Sequence, residues 1–204
     1  MSKLDGRLPS VRIEIVTSTF VASGVPEGIH DLGRFLENLN NTTMARQITL
    51  RTPAIRPLYR AQAQVELEAP LLVRRDEIIF ANFEGPHFTH GVVQPARSDI
   101  AVLLMAPPFQ IQGDISLARD AESTPALQAL LQGFFVMRHA LVYDADGNAL
   151  GEGEQIVVNG AAVQMGSASH RRIEPVSAAP ARVERVLSTI EADALPEEPA
   201  KRAA

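Results

Sequence analysis

The sequence predicts a β-rich α+β fold of two tandem small β-sheet or half-barrel modules, with one helix in each. Short segments such as Val11–Val16 alternate apolar and polar residues, which is typical of strands with one buried face. Two other segments place apolar residues at helical spacing. The same order of strand, strand, helix, strand and strand-turn-strand occurs twice, about ninety residues apart, which indicates a duplicated domain.

The first predicted module covers residues 10–84 and follows an N-terminal tail of residues 1–9. After the strand at Val11–Val16, Phe20–Ala22 is predicted as a short second strand, closed by Gly24 and followed by a Val-Pro-Glu-Gly turn. Asp31 is predicted to cap a helix. The apolar face of this helix has helical spacing and comprises Leu32, Phe35, Leu36 and Leu39.

The rest of the first module alternates again at Arg46–Arg51. The stretch from Pro53 to Gln64 is interpreted as a proline-rich insertion that the second module lacks. Leu71–Val73 and Ile78–Phe80 are then predicted as two strands joined by a turn. A Gly/Pro-containing linker of residues 85–97 ends the module.

The second predicted module covers residues 98–168. Its apolar strand at Ile100–Met105 suggests burial on both faces at Val102–Leu104, and Phe109–Gly113 mirrors Phe20–Gly24. Asp114–Ser123 is predicted as a polar turn region.

The second helix is predicted to start at Thr124-Pro125, with an apolar face that continues to Phe134. A strand follows at Val136–Tyr143. Asn159-Gly160 is predicted as the turn of a closing hairpin. The remaining residues, 169–204, form a Pro/Ala-rich tail with a possible short helix.

Composition narrows the function classes. The chain has 204 residues, a net charge of −5 and no cysteine. The acidic balance disfavours nucleic acid as a partner, and the lack of cysteine excludes disulfides and thiolate metal sites. No apolar run is long enough for a transmembrane segment, and the first residues lack the apolar core of a signal peptide. We therefore expect a cytoplasmic protein.

Two groups of motifs resemble a bacterial domain-of-unknown-function family of short strand-strand-helix-strand-hairpin modules. In the first module, Asp31–Asn40 is similar to the helix motif of that family. In the second, Val142–Gly147 and Val157–Asn159 are similar to its later strands and turn. The resemblance implies two diverged tandem copies of the module and brings no catalytic residues. The strand order is also similar to that of small Sm-like barrels, at the level of fold alone.

His87 and His90 form the candidate metal site of the sequence. Two histidines three residues apart can each offer a ring nitrogen to zinc or copper. Further ligands have to come from Glu84, His139 or His170. The competing interpretation is that both histidines are solvated in the linker, and we assign no metal or other cofactor.

Other polar motifs are interpreted as ordinary surface features. Asp144–Asn148 resembles the start of a calcium loop, but the twelfth position is Gln155, where such a loop needs a bidentate acid. Arg74-Arg75 and Arg171-Arg172 suit solvated turns, and the paired carboxylates Glu66 and Glu68 suit an exposed strand face. No nucleophile motif or phosphate loop occurs, so no catalytic residue is assigned.

These observations favour a non-enzymatic protein-binding or scaffold and assembly protein, which self-associates or binds a partner subunit. The first alternative is a small-barrel regulator that binds a ligand or nucleic acid. The second is a metal-dependent enzyme that uses His87 and His90.

Overall fold

The computed structural model describes residues 11–41, 43, 46–58, 64–85, 97–119 and 121–169. This part of the chain is β-rich, with two α-helices and one large antiparallel sheet, which confirms the predicted class at that level. The elements up to residue 85 are β1 (Arg12–Val16), β2 (Phe20–Pro26), α1 (Leu32–Asn40), β3 (Gln47–Pro57), β4 (Val65–Glu66), β5 (Leu71–Arg74), a 3₁₀ turn (Arg75–Glu77) and β6 (Phe80–Glu84). The elements from residue 97 are β7 (Arg97–Ala106), β8 (Phe109–Ala118), α2 (Ser123–Leu130), β9 (Phe134–Tyr143), β10 (Ala149–Asn159), a 3₁₀ turn (Gly160–Ala162) and β11 (Met165–Ser169).

All described strands belong to one continuous sheet. From one end the order is β11, β7, β8, β9, β10, β6, β1, β2 and β3, and β3 then pairs with both β4 and β5. Strands from residues 12–84 and from residues 97–169 therefore occupy separate runs, which meet where β6 pairs with β10. The two runs join edge to edge in this single sheet.

Two apolar cores lie against this sheet and divide its residues by strand alternation. In β10, Ile156 and Val158 belong to one core, whereas Val157 between them belongs to the other. Successive side chains of a strand point to opposite faces. The strands at the centre of the sheet are thus covered on both faces.

The helix prediction for α1 is confirmed in detail. The Asp31 carboxylate accepts a hydrogen bond from the Arg34 amide at 2.8 Å, as an N-cap does. Phe35 and Leu39, one turn apart, are buried in the core beneath the helix. In α2, Pro125 is the third residue rather than the first, and the helix ends at Leu130, before Phe134, which starts β9.

The predicted hairpin at Asn159-Gly160 is wrong. β10 and β11 do not pair with each other: β10 pairs with β9 and β6, while β11 pairs with β7. A 3₁₀ turn separates β10 from β11. The side chain of Asn159, which caps this turn, accepts a hydrogen bond from Ala161 N at 3.1 Å and donates one to Ile78 O at 2.8 Å.

Three strand boundaries also differ from the prediction. Pro53–Pro57 is the end of β3, and its residues 54–57 pair with β2. β2 runs on past Gly24 to Pro26, and Asp114–Ala118 belongs to β8 rather than to a turn. Proline and glycine suggested breaks at these places, but pairing to a neighbouring strand maintains the extended backbone.

Within the described part of the chain, the apolar run of β7 contacts a core on one face. Val102 and Leu104 are buried in that core, whereas Leu103 between them is half-buried and belongs to neither core. Cover of the second face at Val102–Leu104 stays a prediction. No helix in the described part of the chain is long and apolar enough to span a membrane.

Candidate interaction site at the sheet edges

The contact between β6 and β10 unites the two parts of the sheet. The strands pair antiparallel, with Val158 opposite Phe80, Val157 opposite Ala81 and Ile156 opposite Asn82. Phe80 is 5 % exposed and lies in the core formed mainly by residues 100–158. Val157 is 1 % exposed and lies in the core formed mainly by residues 11–83. Each part therefore supplies an apolar side chain to the core of the other.

Large apolar side chains are exposed on the free edges of the sheet. Among the described residues, the large apolar side chains that are exposed are Val65 on β4, Leu72 on β5 and Met165 on β11, at 55 %, 59 % and 64 %. These three strands are the terminal strands of the sheet. An edge strand offers unpaired backbone N–H and C=O groups, and charges or proline usually protect it from pairing. β11, with the sequence Met-Gly-Ser-Ala-Ser, has neither.

A half-buried ion pair lies on the sheet near the β1–β2 hairpin. The Arg56 guanidinium donates to the Glu14 carboxylate at 3.2 Å, and both side chains are 18 % exposed. Burial raises the pKa of Glu14 from 4.5 to about 7, although Arg56 opposes this rise. A proton held near neutral pH suits general acid–base chemistry. No nucleophile or second titratable group with a shifted pKa is hydrogen-bonded to Glu14 among the described residues, so the pair by itself does not form a catalytic set.

The histidine site of the sequence falls partly outside the described residues. His87, His90 and His170 lie outside them, as do Arg171 and Arg172. His139 is described, and its ring nitrogen lies 3.0 Å from the Asp114 carboxylate at the surface. Within the described ranges, no group of three His, Cys, Asp or Glu side chains is arranged to hold a metal ion. A metal site at His87 and His90 stays an alternative hypothesis of the sequence.

The Asp144 motif forms a turn between β9 and β10. The Asp144 carboxylate accepts hydrogen bonds from the amides of Asp146 at 2.9 Å and Asn148 at 2.8 Å, and from the Asn148 side chain at 2.9 Å. These bonds occupy the oxygens that a cation would need. The interpretation as a hairpin turn is supported by the pairing of the flanking strands.

The two arginines of the predicted turn behave differently. Arg74 is exposed and forms an ion pair with Asp76, as a solvated turn predicts. Arg75 is half-buried and donates to the carbonyls of Asn38, Leu39 and Asn41 at 3.1, 3.0 and 2.7 Å. These are carbonyls at the C-terminal end of α1, which the helix itself leaves without partners. The interpretation of Arg75 as solvated is therefore wrong.

The paired carboxylates do not form a strand face. β4 consists of Val65 and Glu66 alone, so Glu68 lies beyond it, and both glutamates are exposed.

Sequence reasoning missed the edge residues Val65, Leu72 and Met165. Leu72 falls in a predicted strand and Met165 in the predicted closing hairpin, where an apolar residue suits the core. Only the strand order shows that the strands of these residues are terminal. The Glu14–Arg56 pair was also missed, because forty-two positions separate the two residues in the chain.

Comparison of the chain with family models, with curated proteins and with solved structures finds no match. The resemblance to a family of short bacterial modules therefore stays a prediction, and function has to be argued from the geometry of this chain.

Proposed function

We propose that this chain is a non-enzymatic assembly protein, made of two diverged copies of one small β module, that binds other protein chains by strand pairing at its sheet edges. The observation that carries the proposal is the exposure of Leu72 and Met165 on terminal strands. An exposed apolar edge strand is a site for adding a strand from another polypeptide.

The duplication is supported by equivalent hydrogen bonds in the two parts of the chain. The amide of Ile79 donates to Val16 O at 2.9 Å, and the amide of Gln164 donates to Met105 O at 2.8 Å. Both donors lie between a 3₁₀ turn and the strand that follows it. Eighty-five positions separate the two donors, and the same offset relates Phe80 to Met165 at the start of β6 and β11.

The backbone irregularities of the two parts also correspond. A shift of strand register occurs at Gly24 in β2 and at Gly113 in β8. Opposite these glycines, Thr52 has φ 45° and His139 has φ 47°, the two positive-φ residues other than glycine in the described part of the chain. A Cβ at Gly24 would lie 2.9 Å from Arg51 O, and one at Gly113 would lie 2.7 Å from Arg138 O. Two modules of unrelated origin would not be expected to share such irregular features.

In this proposal each module has five strands in the order fourth, third, second, first, fifth. For residues 12–84 this order is β5, β3, β2, β1, β6, and for residues 97–169 it is β10, β9, β8, β7, β11. β4 corresponds to the beginning of β10, since both pair with the end of the third strand. In this alignment the two modules differ little in length at this point, so Pro53–Gln64 has a counterpart in the second module.

The experiment is the isolation of the native complex. The full chain, with an affinity tag, is expressed in the cells that produce it and is crosslinked mildly before purification. We expect wild-type protein in a complex larger than one chain, and a Leu72→Lys, Met165→Lys double variant in a smaller one. A wild-type chain recovered alone, or bound to nucleic acid rather than to protein, would contradict the proposal.

A further inference from the structure

The sheet ends in two different edges. β11 pairs with β7 on one side, and β5 pairs with β3 on one side, and no other described strand pairs with either. We propose that β11 of one copy of this chain pairs antiparallel with β5 of a second copy, so that chains assemble head to tail. This inference rests on the proposed function and names its partner.

A contact of the same kind already exists within the chain. At the β6–β10 contact, the fifth strand of one module pairs with the fourth strand of the other. β11 is the fifth strand of the second module and β5 is the fourth strand of the first, so they are the same two kinds of edge. Pairing them between copies repeats the internal contact.

The internal contact also predicts the register. Val157 lies opposite Ala81, and the equivalent residues are Leu72 and Gly166. We therefore expect Leu72 of one copy opposite Gly166 of the next. Two further pairs follow from the same alignment: Val73 opposite Met165, and Leu71 opposite Ser167.

Residues that are buried at the internal β6–β10 contact have equivalents that are exposed at the free edges, as expected for edges without a partner strand. Val157 is 1 % exposed, whereas its equivalent Leu72 is 59 % exposed. Phe80 is 5 % exposed, whereas its equivalent Met165 is 64 % exposed. Burial of apolar surface stabilises association, so pairing of the two edges would be favoured by the burial of Leu72 and Met165.

Gly166 lies directly against one of the two cores. A Cβ at Gly166 would lie 3.2 Å from the Leu104 side chain and 3.5 Å from the Leu127 side chain. β11 thus presents a bare backbone over that core, and Leu72 of a second copy would cover it. In return, Met165 would lie against Val73 and Leu71, which pack in and against the other core.

Such a contact joins different surfaces on the two copies. It repeats from chain to chain, and it ends in a closed ring when the rotation between copies allows closure or in a filament when it does not. Both products have the same β5–β11 pairing, and the register distinguishes that pairing from β11–β11 or β5–β5 contacts.

The first measurement is the mass of the untagged full chain by size-exclusion chromatography with light scattering, over a range of concentrations. We expect wild-type protein to be larger than one chain, and Leu72→Lys to self-associate at least about tenfold more weakly. Val65→Lys is the matched control: Val65 is 55 % exposed on β4 but lies outside the expected register, so it keeps the wild-type mass. A monomeric wild type at all concentrations would overturn the inference.

The second measurement is site-specific crosslinking, which the absence of native cysteine makes clean. Leu71→Cys and Ser167→Cys are made in separate full-length chains, mixed and oxidised. We expect a covalent dimer from the mixture, and little from Val65→Cys mixed with Ser167→Cys.

Two outcomes separate this inference from the proposed function. Crosslinking of Ser167→Cys with itself, or an assembly that Leu72→Lys leaves intact, would overturn β5–β11 pairing and leave an assembly protein that uses another surface. A monomeric chain that is nevertheless recovered from cells in a protein complex would do the same. A chain without any protein partner would overturn both proposals.

Discussion

The pKa of Glu14 depends on the strands and charges around it. Alternation in β1 would suit a solvent-facing carboxylate at this position. However, β2 and β6 flank β1, β3 lies beyond β2, and only 18 % of the Glu14 side chain is exposed. Arg56 supplies a compensating charge, whereas Glu84 adds a like charge that raises the pKa further. The net result is a pKa of about 7, so folding raises the affinity of this carboxylate for a proton.

Replacement of Glu14 by glutamine should flatten the pH dependence of stability. The folded-state pKa, about 7, lies above the ordinary value of 4.5. The protonated form therefore contributes stability that is complete below pH 4.5 and is lost as the pH rises through 7. The free energy of unfolding of wild type should fall between pH 5 and pH 8 by on the order of 2–3 kcal/mol relative to Glu14→Gln.

Urea denaturation at the two pH values measures this difference. Glu37→Gln is the control, since Glu37 forms an exposed pair with Arg34, and we expect it to follow wild type. Parallel curves for wild type and Glu14→Gln would contradict the assignment.

At the scale of elements, local signals predicted where α1 begins. The N-cap at Asp31 and the helical spacing after it depend on neighbouring residues, and α1 begins where they indicate. The C-terminal end of α1 instead depends on Arg75, a residue thirty-four positions beyond Asn41. No local pattern identifies such a partner.

Arg75→Ala should destabilise the protein by about 2 kcal/mol, because it leaves carbonyls at the end of α1 without their charged donor. The neighbouring variant Arg74→Ala is the matched control. It removes an exposed ion pair with Asp76, and such pairs contribute little, so its urea midpoint should equal that of wild type. Equal losses in both variants would show that Arg75 does not cap the helix.

At the scale of the whole molecule, the interlocked β6–β10 contact should make the described parts of the chain unfold together. Phe80 and Val157 each lie in a core built mainly by the other part. The Asn40 side chain adds a second link, since it donates to Phe134 O at 2.9 Å and accepts from Phe134 N at 2.7 Å. Loss of one core therefore exposes part of the other.

Val157→Ala should cost about 2 kcal/mol, because it leaves a cavity in a buried site, and it should lower amide protection in β1 and β9 by equal amounts. Hydrogen–deuterium exchange measures both strands in one experiment. Val65→Ala, at an exposed position, is the control. Faster exchange in β1 with β9 unchanged would indicate two independently unfolding parts.

The sequence by itself determined the β-rich class, the position of α1 and the succession of strands, since these depend on alternation, spacing and capping between near neighbours. The tertiary structure decided which strands pair. It joined β6 to β10, separated β10 from β11, and left Leu72 and Met165 on terminal strands. An apolar residue in a strand has the same local pattern whether its strand is central or terminal. Its exposure depends on partners that lie far along the chain and, in the assembly proposed for this protein, on a second copy.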